Sequence, residues 1–251
     1  GDSKLGKTRM RESNFAFLVV IWFFLLPLLP ILFLQALYTR GKAIKLPDPG
    51  PPHSGAYGPS QAPFHLIGFG DSVIAGTGLS KAEQSITSKL GEEIHKKIGH
   101  SVKWSSYGVN GDKLKDLLAR VNSISGNGGN LIVVSVGVND VTRLTSLKAW
   151  RRDLRVLINK LRGRFDRLLF LGLPPMEAFP ILPFPLRWFL GLRASMLNFC
   201  LAKETEIFHD VFHFEYHGRP SNGDMLEDGY HPSESACEDF AKIIVNSLNF
   251  D

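Results

Sequence analysis

Only two cysteines, Cys200 and Cys237, occur in 251 residues, and they are far apart without C-x-x-C spacing. That excludes a disulfide scaffold and a zinc ribbon. Charge is sparse too: 21% of residues are ionisable Asp, Glu, Lys or Arg, and the formal net charge is +5. No block of Lys and Arg is interleaved with stacking aromatics, so no nucleic-acid partner is expected. No internal repeat is visible. A dinucleotide fingerprint is missing, because Gly68 and Gly70 are followed by Val73 where the third glycine belongs. The G-x-S-x-G elbow of α/β-hydrolases fails as well, with Ile74 in its last position.

What the chain has in excess is one long apolar run, residues 15–38. About 20 apolar residues suffice to cross a hydrocarbon core, so this stretch is expected to be a single-pass transmembrane helix. A signal peptide would have an apolar region of about 7–15 residues and a small-residue cleavage site, and neither fits. Pro27 and Pro30 are tolerable in a membrane helix, and Tyr38 and Arg40 suit a membrane–water boundary. Residues 1–14 form an N-terminal flank, in which Met10 is a candidate natural start and residues 1–9 candidate foreign sequence. The triplet Gly1-Asp2-Ser3 follows no strand and is set aside as a motif. Lys4, Lys7, Arg9 and Arg11 precede the run, whereas Arg40, Lys42 and Lys45 follow it. This leans towards a cytoplasmic N-terminus and an extracytoplasmic, periplasmic catalytic domain. Residues 39–63, rich in Pro, Gly and Ser, read as a tether that holds the domain away from the bilayer or folds back along it.

From residue 64 to 251, apolar runs alternate with amphipathic segments. Strands are expected at 65–70, 102–107, 131–136 and 167–171, and helices at 82–98, 112–121, 146–161 and 233–248. The run at 131–136 is continuously apolar, as in a strand buried on both faces. Such alternation implies a parallel sheet covered by helices on both sides, an α/β fold of three layers.

Gly70-Asp71-Ser72 follows the first of these strands, at the sheet edge where such folds place ligands. Ser72 is either a nucleophile or a helix N-cap; a helix starting there would favour a developing anion. A serine nucleophile needs a base, and Asp228-Gly-Tyr-His231-Pro-Ser supplies one. Three-residue spacing on a turn lets Asp228 reach the near imidazole nitrogen and leaves the other for Ser72; Asp224 is the rival carboxylate. Oxyanion donors are available at two further strand ends, Gly108 in YGVNG and Asn139 in GVND.

Together GFGDSVIAGTG, the glycine of SYGVNGDKL, GVND and DGYHPS resemble the SGNH/GDSL hydrolase family, of a membrane-anchored bacterial type, over residues 64–248. The resemblance implies a flavodoxin-like α/β/α domain that hydrolyses carboxylic esters without a metal or organic cofactor. It implies Ser72 as nucleophile, His231 as base and Asp228 as its orienting partner. The oxyanion would be held by the Ser72 amide, the Gly108 amide and the Asn139 side chain. Ser106 stands where the family often has Asn, two residues before the glycine. Acyl transfer, thioester cleavage and glycan O-deacetylation share this site chemistry, and an idle, membrane-anchored binding domain is the rival from another class.

Three other features carry less. His209, His213 and His217 suggest a metal site only weakly, and no metal is expected. The basic face of Arg151, Arg152, Arg155, Lys160 and Arg162 is read as solvated. The proline-punctuated stretch 173–191 is apolar enough for Phe179, Leu182 and Trp188 to line an acyl pocket, dip into the bilayer interface, or merely cover the body. The partners implied are a small acyl, lipid or glycan ester and membrane lipid; oligomeric state is left open.

Overall fold

A computed structural model describes residues 12–59, 63–124, 126, 128–216 and 223–250; Gly1–Ser3 and His217 lie outside them. Six strands form one sheet in the order β1-β3-β2-β4-β5-β6. These are β1 (Ser54–Tyr57), β2 (Phe64–Gly70), β3 (Val102–Gly108), β4 (Gly129–Ser135), β5 (Phe165–Leu171) and β6 (Val211–Phe214). All neighbours pair in parallel except β1, which runs antiparallel to β3. The sheet is therefore mixed, not wholly parallel as expected.

The helices are α1 (Glu12–Phe24), α2 (Leu29–Lys42), α3 (Ser72–Ala75), α4 (Ile86–Ile98), α5 (Leu114–Arg120), α6 (Val138–Thr142), α7 (Leu147–Leu161), α8 (Leu186–Thr205) and α9 (Glu234–Ser247). On one face of the sheet, α5, α7 and α8 cover a core containing Phe69, Val134, Trp150, Leu157 and Phe170. On the other, α4 and α9 cover Leu66, Leu90, Ile94, Val133 and Ile244. The three layers follow from periodicity. In α7, Trp150, Leu154, Leu157, Ile158 and Leu161 share one face and are fully buried. Each such side chain contributes about 1.5–3 kcal/mol on burial, and the Trp150 indole N–H also reaches the Leu197 carbonyl at 3.0 Å.

The chain departs β2 towards β3 on one side and, after β3, crosses to β4 on the other. The C-terminal end of β2 is thus the topological switch point, where open α/β sheets form a crevice.

Three segments differ from their sequence reading. Residues 43–59 are not a free spacer. Gly78 N–H donates to the Pro47 carbonyl at 2.8 Å, Ser106 N–H to that of His53 at 2.8 Å, and the Thr77 hydroxyl to Asp48. Strand β1 then covers the edge of β3 that would otherwise be left unpaired. Within 173–191, a short 3-10 turn at Met176–Ala178 is followed by the start of the 20-residue α8. Strand β6 adds an edge to the sheet beyond β5, outside the four strands marked by the alternation of apolar and amphipathic segments.

Among the described residues, one helical stretch, Phe15–Lys42, is long and apolar enough to cross a membrane. It comprises α1, a 3-10 turn at Leu26–Leu28 and α2. Pro27 and Pro30 account for the interruption, since each removes a backbone donor. Only 6% of its most apolar window is buried, which is not how a core helix behaves. Its contacts with the domain run along α8: Phe15 stacks on Phe199 at 4.5 Å and Trp22 on Phe189 at 5.4 Å.

Candidate active site

Ser72 is the first residue of α3, immediately beyond the end of β2, and is buried. It is not the N-cap. That position belongs to Asp71, whose Oδ1 accepts from Val73 N–H at 3.1 Å and from the Ser135 hydroxyl at 3.1 Å. Two glycines permit the crowding here. A Cβ on Gly70 would sit 2.2 Å from the Ser135 carbonyl oxygen, and one on Gly108 would sit 2.0 Å from the Ala75 nitrogen. The end of β3 consequently lies against the helix that Ser72 begins.

Past β4, Gly137 adopts φ +131 and leads into α6, which carries Asn139. The Asn139 amide donates one hydrogen to the Asp112 carbonyl at 3.0 Å; a second donor hydrogen remains on the same nitrogen. The neighbouring Asp140 is buried and accepts from Leu114 N–H at 3.0 Å and the Thr145 hydroxyl at 2.8 Å. Burial raises its carboxyl above the usual range despite these bonds.

Arg120 was not anticipated from the sequence. Its guanidinium donates to the Gly70 carbonyl at 2.6 Å, the Tyr107 carbonyl at 3.0 Å and the Asp112 carboxylate at 2.5 Å, and lies over the Phe69 ring at 4.7 Å. One side chain thus ties together the ends of β2 and β3 and the loop whose carbonyl holds Asn139. Tyr107, Gly70 and Phe69 lie 13 or more residues away and two of the contacts are backbone carbonyls, so no local pattern announces it.

Asp228 and His231 occupy the turn before α9. Asp228 Oδ1 accepts from the backbone N–H of Tyr230 and of His231, each at 3.0 Å, and Oδ2 accepts from His231 Nδ1 at 2.5 Å. Burial pushes the Asp228 carboxyl up, but the bonds from His231 and Tyr230 outweigh it and hold the group below its usual value. Asp228, not Asp224, is the carboxylate on this imidazole. Asp224 meets the helix start instead, its carbonyl accepting from Ser233 N–H at 2.8 Å. His231 Nε2 is buried and has no hydrogen-bond partner among the described residues, Ser72 included.

Two cavities meet at this imidazole. A cavity of about 260 Å³ is lined by Ser72, Val136, Leu173, Phe179, Tyr230 and His231. A groove of about 740 Å³ starts at Asn139, Asp228, Tyr230 and His231. Asp71 lines the smaller cavity, where burial raises its carboxyl to about 7 against the Val73 and Ser135 bonds.

Residues 69–237 match the GDSL-like lipase/acylhydrolase family, which is more than half of the chain. The chain belongs to that family. A curated relative, GDSL-like esterase Rv1075c of Mycobacterium tuberculosis, is 26% identical over 166 residues, covering 61% of this chain and 53% of the relative. The GDSL-like chain thus spans about half of that relative's length. Among solved structures, a putative lipolytic protein of the G-D-S-L family from Desulfitobacterium hafniense DCB-2 superposes with a TM-score of 0.57 at 13% identity, covering 73% of this chain and 99% of that one. The acetylxylan esterase Axe2 from Geobacillus stearothermophilus gives 0.55 at 14% identity, covering 75% and 95%. At such identities these likenesses concern the fold.

The substrate residues expected from the GDSL-like sequence separate. Phe179 lines the small cavity, edge-on to Tyr230 at 5.2 Å, and Leu182 lines the groove. Trp188 is in neither lining: it is 58% exposed and pairs edge-on with Phe184 at 5.2 Å. Helix α8 turns it outward. Of the histidines, His213 is bonded through Nε2 to Asn198 Oδ1 at 3.0 Å, and burial lowers it to about 4.

Proposed function

We propose that this chain is a membrane-anchored serine hydrolase of carboxylic esters, using Ser72, His231 and Asp228. The observation that carries the reading is His231. Its Nδ1 is fixed by Asp228 at 2.5 Å, while its Nε2 is bound by none of the described residues and borders the cavity that Ser72 lines.

In the first half-reaction, Ser72 Oγ attacks the ester carbonyl carbon and its proton passes to His231 Nε2. The carbonyl π electrons move onto oxygen, where the backbone amides of Ser72 and Gly108 and the free Asn139 N–H stabilise the charge. As the intermediate collapses, the C–O bond to the alcohol breaks and His231 returns the proton to the departing oxygen. A water molecule then attacks the acyl-Ser72 carbonyl, losing its proton to His231. The acid leaves, and the proton goes back to Ser72 Oγ. Asp228 orients the imidazole and stabilises its cationic form.

The exposed apolar face of Phe15–Lys42 supports anchoring in a bilayer. The basic residues before it favour an extracytoplasmic catalytic domain, which a compartment-dependent reporter fused at the C-terminus tests. Activity is tested with p-nitrophenyl acetate on wild type, Ser72→Ala and His231→Ala. Turnover in wild type and a loss of about 10³-fold or more in each variant is expected. Folded wild type without turnover would favour an idle binding domain.

A further inference from the structure

The larger groove has an unusual wall. On one side it is lined by Leu182, Leu186, Phe189 and Leu190 of the domain, and on the other by Leu29, Leu32, Phe33, Ala36 and Leu37 of α2. The apolar N-terminal helix therefore forms part of a channel that ends at His231 and Asn139. This position is fixed by a polar clasp. Gln35 Nε2 donates to the Phe184 carbonyl at 2.7 Å, and Gln35 Oε1 accepts from Leu186 N–H at 3.2 Å. Both functions of a polar side chain within the apolar stretch are thus used to hold α2 against the start of α8.

The outer surface beside the groove points to what enters it. Ile31, Phe33, Leu34 and Leu37 on α2 are each at least 50% exposed, as are Phe184 and Trp188 next to the clasp. An apolar surface of this kind marks a membrane contact when it continues from an anchor. Arg40 and Arg143 also belong to the groove's lining, and both suit the anionic and polar headgroup layer. A groove of about 740 Å³ is in the range that accommodates an extended apolar ligand. Short acyl groups have no need of it, since the cavity of about 260 Å³ at Ser72 can take them.

Resting on the ester-hydrolase reading above, we propose that the substrate is a long-chain acyl ester resident in the bilayer. Its chain enters sideways from the membrane along α2, and the helix serves as a wall of the acyl site as well as an anchor. The ester carbonyl then lies where groove and cavity meet, between Asn139 and Ser72.

The test compares full-length wild type, Ala36→Trp and Gln35→Leu reconstituted in phosphatidylcholine vesicles. Active sites are counted with a fluorophosphonate. Rates are measured on water-soluble p-nitrophenyl acetate and on 4-methylumbelliferyl palmitate carried in the vesicles. Filling the groove at Ala36 or releasing the clasp at Gln35 is expected to lower the palmitate-to-acetate rate ratio at least about tenfold, equivalent to about 1.4 kcal/mol of transition-state stabilisation. An unchanged ratio in either variant overturns the proposal while leaving the hydrolase reading intact. Acetate turnover by wild type no greater than by Ser72→Ala overturns the hydrolase reading itself.

Discussion

Replacing Asp228 by Asn isolates the role of the carboxylate, because the turn dictates how the amide must sit. Oδ1 accepts two backbone N–H groups, from Tyr230 and His231, each at 3.0 Å. The amide oxygen has to take that place. The opposite orientation would set an NH2 group against two donors, leaving both unsatisfied at about 1–3 kcal/mol each. The amide nitrogen is consequently directed at His231 Nδ1, where Oδ2 now accepts at 2.5 Å. It donates to Nδ1, and the imidazole must carry its proton on Nε2. In that tautomer His231 has no lone pair to receive the Ser72 proton. The loss expected in kcat is about 10⁴-fold, as a wrong tautomer costs in serine proteases, or about 5.5 kcal/mol in the barrier. Thermal stability should change little, since every backbone bond of the turn is kept. Asp228→Ala, by contrast, also removes the acceptor of both N–H groups and is expected to lower Tm. Circular-dichroism melting and ester kinetics on the two variants measure both effects. A folded Asp228→Asn enzyme with kcat within tenfold of wild type would refute the reasoning.

Three other perturbations follow from the site's packing. Gly108→Ala would place its Cβ 2.0 Å from the Ala75 nitrogen, so α3 must move; a loss of about 1–3 kcal/mol in denaturant unfolding is expected, with a fall in kcat. Arg120→Met leaves the Asp112 carboxylate without its cation and removes two carbonyl contacts. Stability should fall by about 2–4 kcal/mol, and kcat should fall more than KM rises, with Arg120→Lys intermediate. Asp71 holds its proton up to about pH 7 in the folded protein, against a usual value of 3.8. The stabilisation from that neutral form is fully present below about pH 4 and is lost as pH rises through 7. Asp71→Asn mimics the neutral acid, so its Tm should exceed that of wild type at pH 8 and approach it near pH 5.

The Asp228–His231 pair and the central strands were legible because their signals are local. Strand β4 is a single apolar run, and Asp228 and His231 are three residues apart, so one turn suffices to join them. What escaped depends on partners distant in the chain. The sequence of β1, Ser-Gly-Ala-Tyr, has little strand preference of its own; the open edge of β3 recruits it. Helix α8 buries residues on most of its circumference, so it shows no amphipathic stripe, and the prolines before it resemble loop punctuation. Pro185 instead stands at its N-cap, where the missing N–H costs nothing. The apolar N-terminal run was visible as a stretch long enough to cross a membrane, but its place along the groove rests on Gln35 meeting Phe184 and Leu186 about 150 residues away. The same limit hid Arg120, which joins the Gly70 and Tyr107 carbonyls, available in any sequence, to the Phe69 ring and the Asp112 carboxylate.

The central claim is that Ser72 is a nucleophile activated by His231. Peptide mass mapping of the folded, full-length protein after reaction with a fluorophosphonate tests it most directly. The account predicts a single phosphonylated serine, Ser72, with the adduct lost in Ser72→Ala and strongly slowed in His231→Ala. An unmodified Ser72, or an adduct carried by another serine, would contradict it.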